Sequence, residues 1–202
     1  MSRWLERLES EDALAALVEA ESVWTVYRTS VHRAREAILF MAKKGLEKRL
    51  GALAAEPNVP NFRLTFRPIA VGSERAYLGW GMLDHPNAEA LRRAFSWAAP
   101  MRVGVRRSAG LGDRLGIATP GHIRAMRRVQ GVMPVLAQQS IREMERTQRT
   151  PEEVIDAATW GVFQEGWHSG YGADADHLKT TADIDACLDA GFVMYTLDPR
   201  EH

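Results

Sequence analysis

The spacing of apolar positions differs between the two halves of the chain. Residues 1–20 place Trp4, Leu8 and Leu14 at helical intervals with acidic residues between them, which predicts an amphipathic helix or two short ones. Residues 37–54 fit a helical face as well as two strands. We predict a β-hairpin there, because Gly45 separates two apolar runs as a turn glycine does. We therefore interpret residues 1–100 as a helix and strand region that leads into the rest of the chain.

From residue 101 onward, a unit of strand, loop and helix recurs. The predicted strands cover 101–110, 132–140, 170–179 and 192–199. The predicted helices between them cover 119–131, 150–166 and 180–191, each with a threonine as its N-cap (Thr119, Thr150 and Thr180). The last strand is almost wholly apolar, which is typical of a strand covered on both faces. Residues 101–202 are thus predicted to be a series of βα repeats.

Alternating strands and helices with short connections predict a parallel sheet in an α/β fold. The residues alone leave open a doubly wound sheet and part of an eight-stranded βα barrel. Four strands cannot close such a barrel, and no helix is predicted after the last strand. We therefore expect either a longer barrel of which this is the N-terminal part, or a homo-oligomer that covers the open sheet edge.

Composition narrows the class of protein. The chain has 202 residues, 46% of them hydrophobic, with 26 Lys and Arg against 26 Asp and Glu. This balance gives no reason to expect nucleic acid or a membrane as partner. One cysteine, Cys187, excludes an internal disulfide, and no signal peptide or spanning segment is evident, so a cytoplasmic location is expected.

Polar residues follow the predicted strands, where α/β folds place their functional groups. Arg114 could bind a substrate carboxylate, or pair with Asp113 as an ordinary loop ion pair. Gln138 and Gln139 could bind sugar hydroxyls, since an amide both donates and accepts, or could satisfy buried backbone groups. Lys179 is assigned substrate contact from its location alone.

Asp176 and His177 are the strongest candidates. They could form a structural cap or ion pair at the strand end, or they could be a carboxylate base beside an imidazole metal ligand. Consecutive strand residues face opposite ways, so both side chains reach one site only if the backbone turns there.

Several stretches resemble the tagaturonate/fructuronate epimerase family of hexuronate catabolism. They are "GLGDRLGIATPGHIRAM", "PVLAQQSIREMERTQRTPEEVIDAATWGVFQEG", "GYGADADHLKTTADIDACLDAGF" and "MYTLDP". The resemblance implies a partial (β/α)8 TIM barrel, a divalent metal cofactor and a small sugar acid as substrate. It makes Asp176 of the "DADH" motif the proton acceptor and His177 a metal ligand. The family's chains are much longer, so this chain is predicted to be an N-terminal fragment that lacks the other metal ligands and the second acid/base group.

The implied reaction interconverts D-tagaturonate and D-fructuronate, which differ at C4. The C4 hydrogen is not acidified by the ketone, so we expect a retro-aldol route in which a base takes the C4 hydroxyl proton, with a metal stabilising the developing charge. Two alternatives stay open: a metal-dependent aldolase or isomerase acting on another sugar acid, and a non-catalytic truncated homologue or sugar-acid binding module. Incomplete metal ligation would favour the second, because a catalytic metal usually has three or more protein ligands.

Overall fold

The structure is a computed structural model that describes Trp4, Leu8 and residues 10–197. The chain divides into two units. The first comprises the residues up to Ala90 together with Phe163–Gly166, and the second comprises Leu91–Val162 and the residues from Trp167 onward. The domain boundary near residue 100 stays a prediction.

The first unit contains an antiparallel sheet of six strands. They are β1 (Thr25–Val26), β2 (His32–Ala34), β3 (Ala37–Lys44), β4 (Glu47–Ala54), β5 (Thr65–Val71) and β6 (Glu74–Gly81). Their order is β1-β3-β4-β6-β5, and β2 also pairs with β3. Strands β3 and β4 form the hairpin predicted over 37–54, and Gly45 in its turn has φ +60°, which glycine adopts without steric cost.

Helix α1 (Glu11–Glu21) belongs to the same unit. Ser10 caps it by accepting a hydrogen bond from the Ala13 N–H at 3.1 Å. Its buried side chains share a hydrophobic cluster with residues of β3, β4 and β6, including Phe40 and Leu53. This confirms the predicted helix from residue 11 to residue 20. Leu8 lies in a turn and Ser10 is the N-cap, and residues 1–3, 5–7 and 9 lie outside the described part.

The second unit contains a curled parallel sheet of four strands, in the order β10-β9-β8-β7. They are β7 (Ser108–Gly110), β8 (Met133–Ser140), β9 (Gly172–Leu178) and β10 (Met194–Leu197). The helices from residue 85 onward are α2 (His85–Ala94), α3 (Thr119–Met126), α4 (Ile141–Thr147), α5 (Pro151–Glu165) and α6 (Thr181–Ala190). This confirms a mixed α/β fold with a half-barrel of parallel strands, and closure into a TIM barrel stays a prediction.

The two faces of the parallel sheet differ. Side chains such as Leu136, Ala173 and Ala175 pack in one cluster with residues of the helices, including Ile155 and Val162. A small cluster of Val103, Met133 and Val135, with Met194 against it, lies apart from that core. Alternation along the strands turns every second side chain away from the helices. The polar side chains described below continue this second face toward the carboxyl ends of the strands.

Several details of the predicted repeats are wrong. The first predicted strand is reduced to β7, and the predicted N-cap Thr119 is already the first residue of α3, because the Asp113 carboxylate binds the N–H groups at this helix start. Helix α4 was not predicted. The last strand, β10, is half-buried to exposed rather than covered on both faces. Within the described residues, no helix is both long and apolar enough to cross a membrane.

Candidate active site at the carboxyl edge of the parallel sheet

Five polar side chains come together at the carboxyl ends of β8, β9 and β10. They are Gln138, Asp174, Asp176, His177 and Thr196, which we call the carboxyl-edge site. Strand register brings them there, because Gln138 pairs with Asp174 across β8 and β9, and Ser140 pairs with Asp176. Parallel strands deliver their carboxyl ends to one edge, where α/β folds bind ligands.

An irregularity in β9 brings Asp176 and His177 together. Tyr195 pairs with Ala175 and Leu197 with Leu178, so one residue of β10 lies opposite two of β9, which is the count of a β-bulge. His177 has φ +56°, a left-handed conformation that is uncommon for a residue other than glycine. As a result, His177 Nδ1 lies 2.7 Å from Asp176 Oδ1. The backbone turn that the sequence required is therefore present.

The imidazole of His177 is exposed, and its Nδ1 is occupied by the Asp176 carboxylate. A carboxylate on one ring nitrogen fixes the ring and leaves the other nitrogen, Nε2, as the position for a metal ion. This is the observation that fits His177 to a divalent metal. Among the residues that the structure describes, no group of three or more His, Cys, Asp or Glu side chains is arranged to hold a metal, so these residues fit one part of a metal site.

Asp174 is the most buried acid of the site, with 3% of its surface exposed. Its Oδ2 accepts a hydrogen bond from Gln138 Nε2 at 3.1 Å, and Thr196 Oγ1 donates to Oδ1 at 3.0 Å. Burial raises the pKa of Asp174, and the nearby Asp176 charge adds to this, although the Thr196 and Gln138 bonds and His177 oppose it. A carboxyl group of this kind is typical of functional sites.

Gln139 faces away from Gln138, as successive strand residues do. It is buried; its Nε2 donates to Thr147 Oγ1 at 3.0 Å, and its Oε1 accepts from Arg149 at 2.7 Å. The geometry therefore places Gln139 with the packing of α4, not with the groups that could meet a sugar acid. Its assignment as a substrate ligand stays a prediction that this placement does not favour.

Asp113 organises the loop between β7 and α3. Its carboxylate accepts hydrogen bonds from the N–H groups of residues 115, 117, 118 and 119, at 2.7 to 3.3 Å. Burial alone would raise the pKa of Asp113, but these backbone bonds outweigh it and lower the pKa below 3.8. Arg149 donates to the Asp113 carbonyl at 2.8 Å. Asp113 thus acts on its own loop and not as the ion partner of Arg114.

We expect Asp113→Asn to lower the free energy of unfolding at pH 7 by about 2–3 kcal/mol, since an amide loses charge-assisted bonds and turns a donor toward backbone donors. Because the folded pKa is below the ordinary value, the charge contributes fully above about pH 3.8. Its contribution disappears as the pH falls through the lower folded pKa. Urea unfolding at several pH values measures this.

The control for that experiment is Asp185→Asn, a change of an exposed aspartate in α6. It should leave stability within about 0.5 kcal/mol of the wild type. If the variant at Asp113 loses stability on acidification in parallel with the wild type, the loop carboxylate does not have the role assigned to it.

Arg114 is exposed, and its Nε lies 2.5 Å from Glu143 Oε1 on α4. Glu143 also completes a capping box with Ser140 at the start of that helix. Arg114 is therefore placed next to the edge that carries Ser140 and Asp176, consistent with its predicted location. Lys179 is half-buried between the end of β9 and Thr180, the N-cap of α6. Substrate contact by either residue stays a prediction.

Sequence reasoning gave no role to Asp174, Thr196, Glu143 or Arg149. Asp174 had a signal, because it precedes Asp176 by two residues and must share its face of the strand. Thr196 had none, since only the bulge and the register of β10 bring its hydroxyl to Asp174.

Carboxylate, amide and imidazole groups thus lie at the carboxyl edge of a parallel sheet, which is where α/β folds bind their ligands. The chain is an α/β protein with a candidate ligand site at that edge. The chain belongs to the tagaturonate epimerase family, whose family model matches residues 27–202. A tagaturonate/fructuronate epimerase of Thermotoga maritima is 41% identical over 179 residues, which are 89% of this chain and 36% of that protein.

Solved structures agree with this assignment. The glycerol-complexed crystal structure of fructuronate-tagaturonate epimerase UxaE from Cohnella laeviribosi has a TM-score of 0.79 and 37% identity, over 96% of this chain and 38% of that one. The native structure of the same enzyme has a TM-score of 0.79 and 39% identity, over 93% of this chain and 37% of that one. This chain thus spans little more than a third of the length of these relatives.

Proposed function

We propose that this chain forms the part of a hexuronate 4-epimerase that supplies its base and one metal ligand, for interconversion of D-tagaturonate and D-fructuronate. The observation that carries the proposal is the Asp176–His177 pair at the carboxyl edge, at 2.7 Å, in a chain of the tagaturonate epimerase family. A sugar acid is a small polar ligand of the kind that such an edge suits.

In the proposed reaction, Asp176 takes the proton of the C4 hydroxyl. The C4–O bond becomes a carbonyl, the C3–C4 bond breaks, and its electron pair stays with the C2–C3 fragment. The new aldehyde turns, C3 attacks its other face, and Asp176 returns the proton to the C4 oxygen. Atoms and electrons balance without an oxidant, and the C4 hydrogen never leaves its carbon. The carboxylate is suited to the task because it is partly exposed and directed to the same edge as the amide of Gln138.

The divalent metal proposed as cofactor would be held by His177 Nε2, with its other ligands from outside the described residues. When bound, it would stabilise the negative charge that develops on substrate oxygens. Asp176 keeps the His177 ring in the orientation that this requires. Gln138 and Arg114 would bind hydroxyl and carboxylate groups of the substrate.

A second function, sugar-acid binding without turnover, is favoured by one observation: the described residues contain no three-ligand metal cluster. It would apply to this chain acting alone. The two functions differ in whether the chain needs the region of its relatives that it does not cover.

The test compares three proteins with D-tagaturonate and D-fructuronate in the presence of Mn²⁺, Co²⁺, Ni²⁺ or Zn²⁺. The first protein is this chain alone, and the second is the intact Thermotoga maritima relative. The third is a fusion of this chain to the C-terminal region of that relative, which this chain does not cover. We expect the fusion to interconvert the epimers and the chain alone to turn over little or nothing. Substrate deuterated at C4 should keep its label. A folded fusion that does not interconvert the epimers contradicts the proposed function. Loss of the deuterium label to solvent contradicts the retro-aldol route.

A further inference from the structure

Asp174 is a buried carboxyl group at the carboxyl-edge site that has no part in the proposed base or metal-ligand roles. It is 3% exposed, and the two donors that the structure gives it, the Gln138 amide and the Thr196 hydroxyl, are both neutral. A buried carboxylate without a hydrogen-bonded cation partner costs stability. Its place two residues before Asp176 directs both carboxylates to the same face of β9. A buried carboxyl group at the edge of a candidate site indicates a functional role rather than a packing role.

Both neighbours of Asp174 donate their hydrogen bonds to its oxygens, which is the arrangement around an ionised carboxylate. An ionised carboxylate only accepts. Gln138 must therefore turn its Nε2 toward Asp174 at 3.1 Å, and Thr196 must point its hydroxyl hydrogen at the carboxylate, 3.0 Å from Oδ1 and 3.2 Å from Oδ2. This leaves the Gln138 Oε1 and the oxygen lone pairs of Thr196 as acceptors. A neutral amide at position 174 would not impose the same direction, because it both donates and accepts.

Gly110 on β7 provides the space that this arrangement needs. A Cβ at residue 110 would lie 2.3 Å from Gln138 Oε1 and 2.8 Å from Nε2. The amide of Gln138 thus occupies the volume of the missing side chain. Gly110 does not have a positive φ, so a larger residue there would cause no backbone strain. Its only effect would be the clash with the Gln138 amide, which would be relieved by movement of that flexible side chain.

We propose that Asp174 is a positioning residue for hexuronate binding: it orients Gln138 and Thr196 so that their oxygens accept hydrogen bonds from the sugar hydroxyls. The proposal rests on the proposed function in taking the ligand to be a hexuronate. It adds three residues, Asp174, Thr196 and Gly110, that act on the amide or beside it. Asp174 itself need not touch the substrate.

The experiment measures binding of D-tagaturonate and D-fructuronate to the full 202-residue chain by calorimetric titration, together with thermal unfolding. Asp174→Asn keeps the shape but removes the fixed direction, and we expect binding at least tenfold weaker with an unfolding midpoint equal to or above the wild type. A residue retained only for packing would instead lower the midpoint and leave binding unchanged, and that result overturns the proposal.

Gly110→Ala displaces the Gln138 amide without removing any polar group, and we expect the same tenfold loss of binding. Gly112→Ala is its matched control, because a Cβ there would meet only the Gln138 carbonyl oxygen at an ordinary 3.5 Å. Gly110→Ala acts through Gln138 alone, and Asp174→Asn acts on Gln138 and on Thr196. The double variant Asp174→Asn with Gly110→Ala should therefore bind no more weakly than Asp174→Asn alone. Additive losses overturn the proposed route through the amide.

Thr196→Val removes the second donor, and Thr196→Ser should recover most of the binding lost in the valine variant. Absence of hexuronate binding to the wild-type chain also overturns the inference. These outcomes are distinguishable from failure of the proposed function. If the chain binds hexuronates with this pattern of variants but the fusion does not epimerise them, the positioning role of Asp174 stands and the proposed epimerase function is contradicted.

Discussion

Replacing Asp176 by Asn is expected to lower the rate of epimerisation by the fusion at least 100-fold, because general acid and base groups typically contribute about 10²–10⁴ to a rate. The change removes the proton acceptor but preserves the shape of the side chain. An Asn oxygen can still accept the hydrogen bond from His177 Nδ1, which now lies 2.7 Å from the carboxylate. The kcat should therefore fall, with KM within a fewfold of the unmodified fusion.

His177→Ala tests the proposed metal ligand separately from the proposed base. Loss of the imidazole should reduce affinity for the divalent metal, measured by calorimetric titration of the fusion, while Asp176→Asn should change that affinity less. Asp185→Asn, on the exposed surface of α6, is the control for the loss of an acid as such. Turnover at the unmodified rate in both site variants would mean that neither residue has its proposed role.

The parts of the fold that could be predicted are those where local chemistry and pattern agree. The hairpin over 37–54 has a turn glycine between two apolar runs, and the structure forms it residue for residue from Ala37 paired with Ala54. The start of α6 has a capping box between Thr180 and Asp183, both bonds of which are present, and Gly191 ends the helix with φ +96°. Local consistency of this kind needs no knowledge of distant residues.

The parts that could not be predicted depend on residues outside the helix or strand concerned. Thr119 has the chemistry of an N-cap, but Asp113, six residues earlier, accepts hydrogen bonds from the N–H groups of Ala118 and Thr119, and the helix begins at Thr119 itself. The predicted first strand shrinks to Ser108–Gly110, which is the stretch that pairs with β8. Pairing is a tertiary event, and β-propensity alone does not determine it.

The candidate site shows the same division. The sequence placed Asp176 and His177 at a strand exit, and their contact depends on a bulge that only the register of β10 defines. For Gln138 and Gln139, the strand period predicted opposite faces but not which face holds the site. That choice follows from Arg149 and Thr147, which bind the Gln139 amide on the helix-covered side. We therefore expect a substitution at Gln139 to affect stability more than substrate binding.

The largest effect on stability is expected from Arg92→Met in the second unit, with a loss of about 3–5 kcal/mol in the free energy of unfolding. Arg92 Nη1 lies 2.7 Å from Asp156 Oδ1 and donates to Thr159 Oγ1 at 3.0 Å. The side chains are only 14% and 10% exposed, so removal of the guanidinium takes a short charge-assisted hydrogen bond from a largely buried carboxylate. Urea unfolding followed by circular dichroism measures the loss.

An ion pair of the same length on the surface gives the matched comparison. Arg28 Nε and Asp12 Oδ1 are also 2.7 Å apart, but their side chains are 50% and 84% exposed. Solvent screening leaves such a pair a contribution of about 0–1 kcal/mol, so Arg28→Met should have little effect. The double variant Arg92→Met with Asp156→Leu should recover much of the stability lost at Arg92, because an apolar pair carries no uncompensated charge. Equal losses in the two arginine variants would mean that burial does not determine the strength of the Arg92–Asp156 pair, and the same reasoning about the buried Asp174 carboxylate would then fail with it.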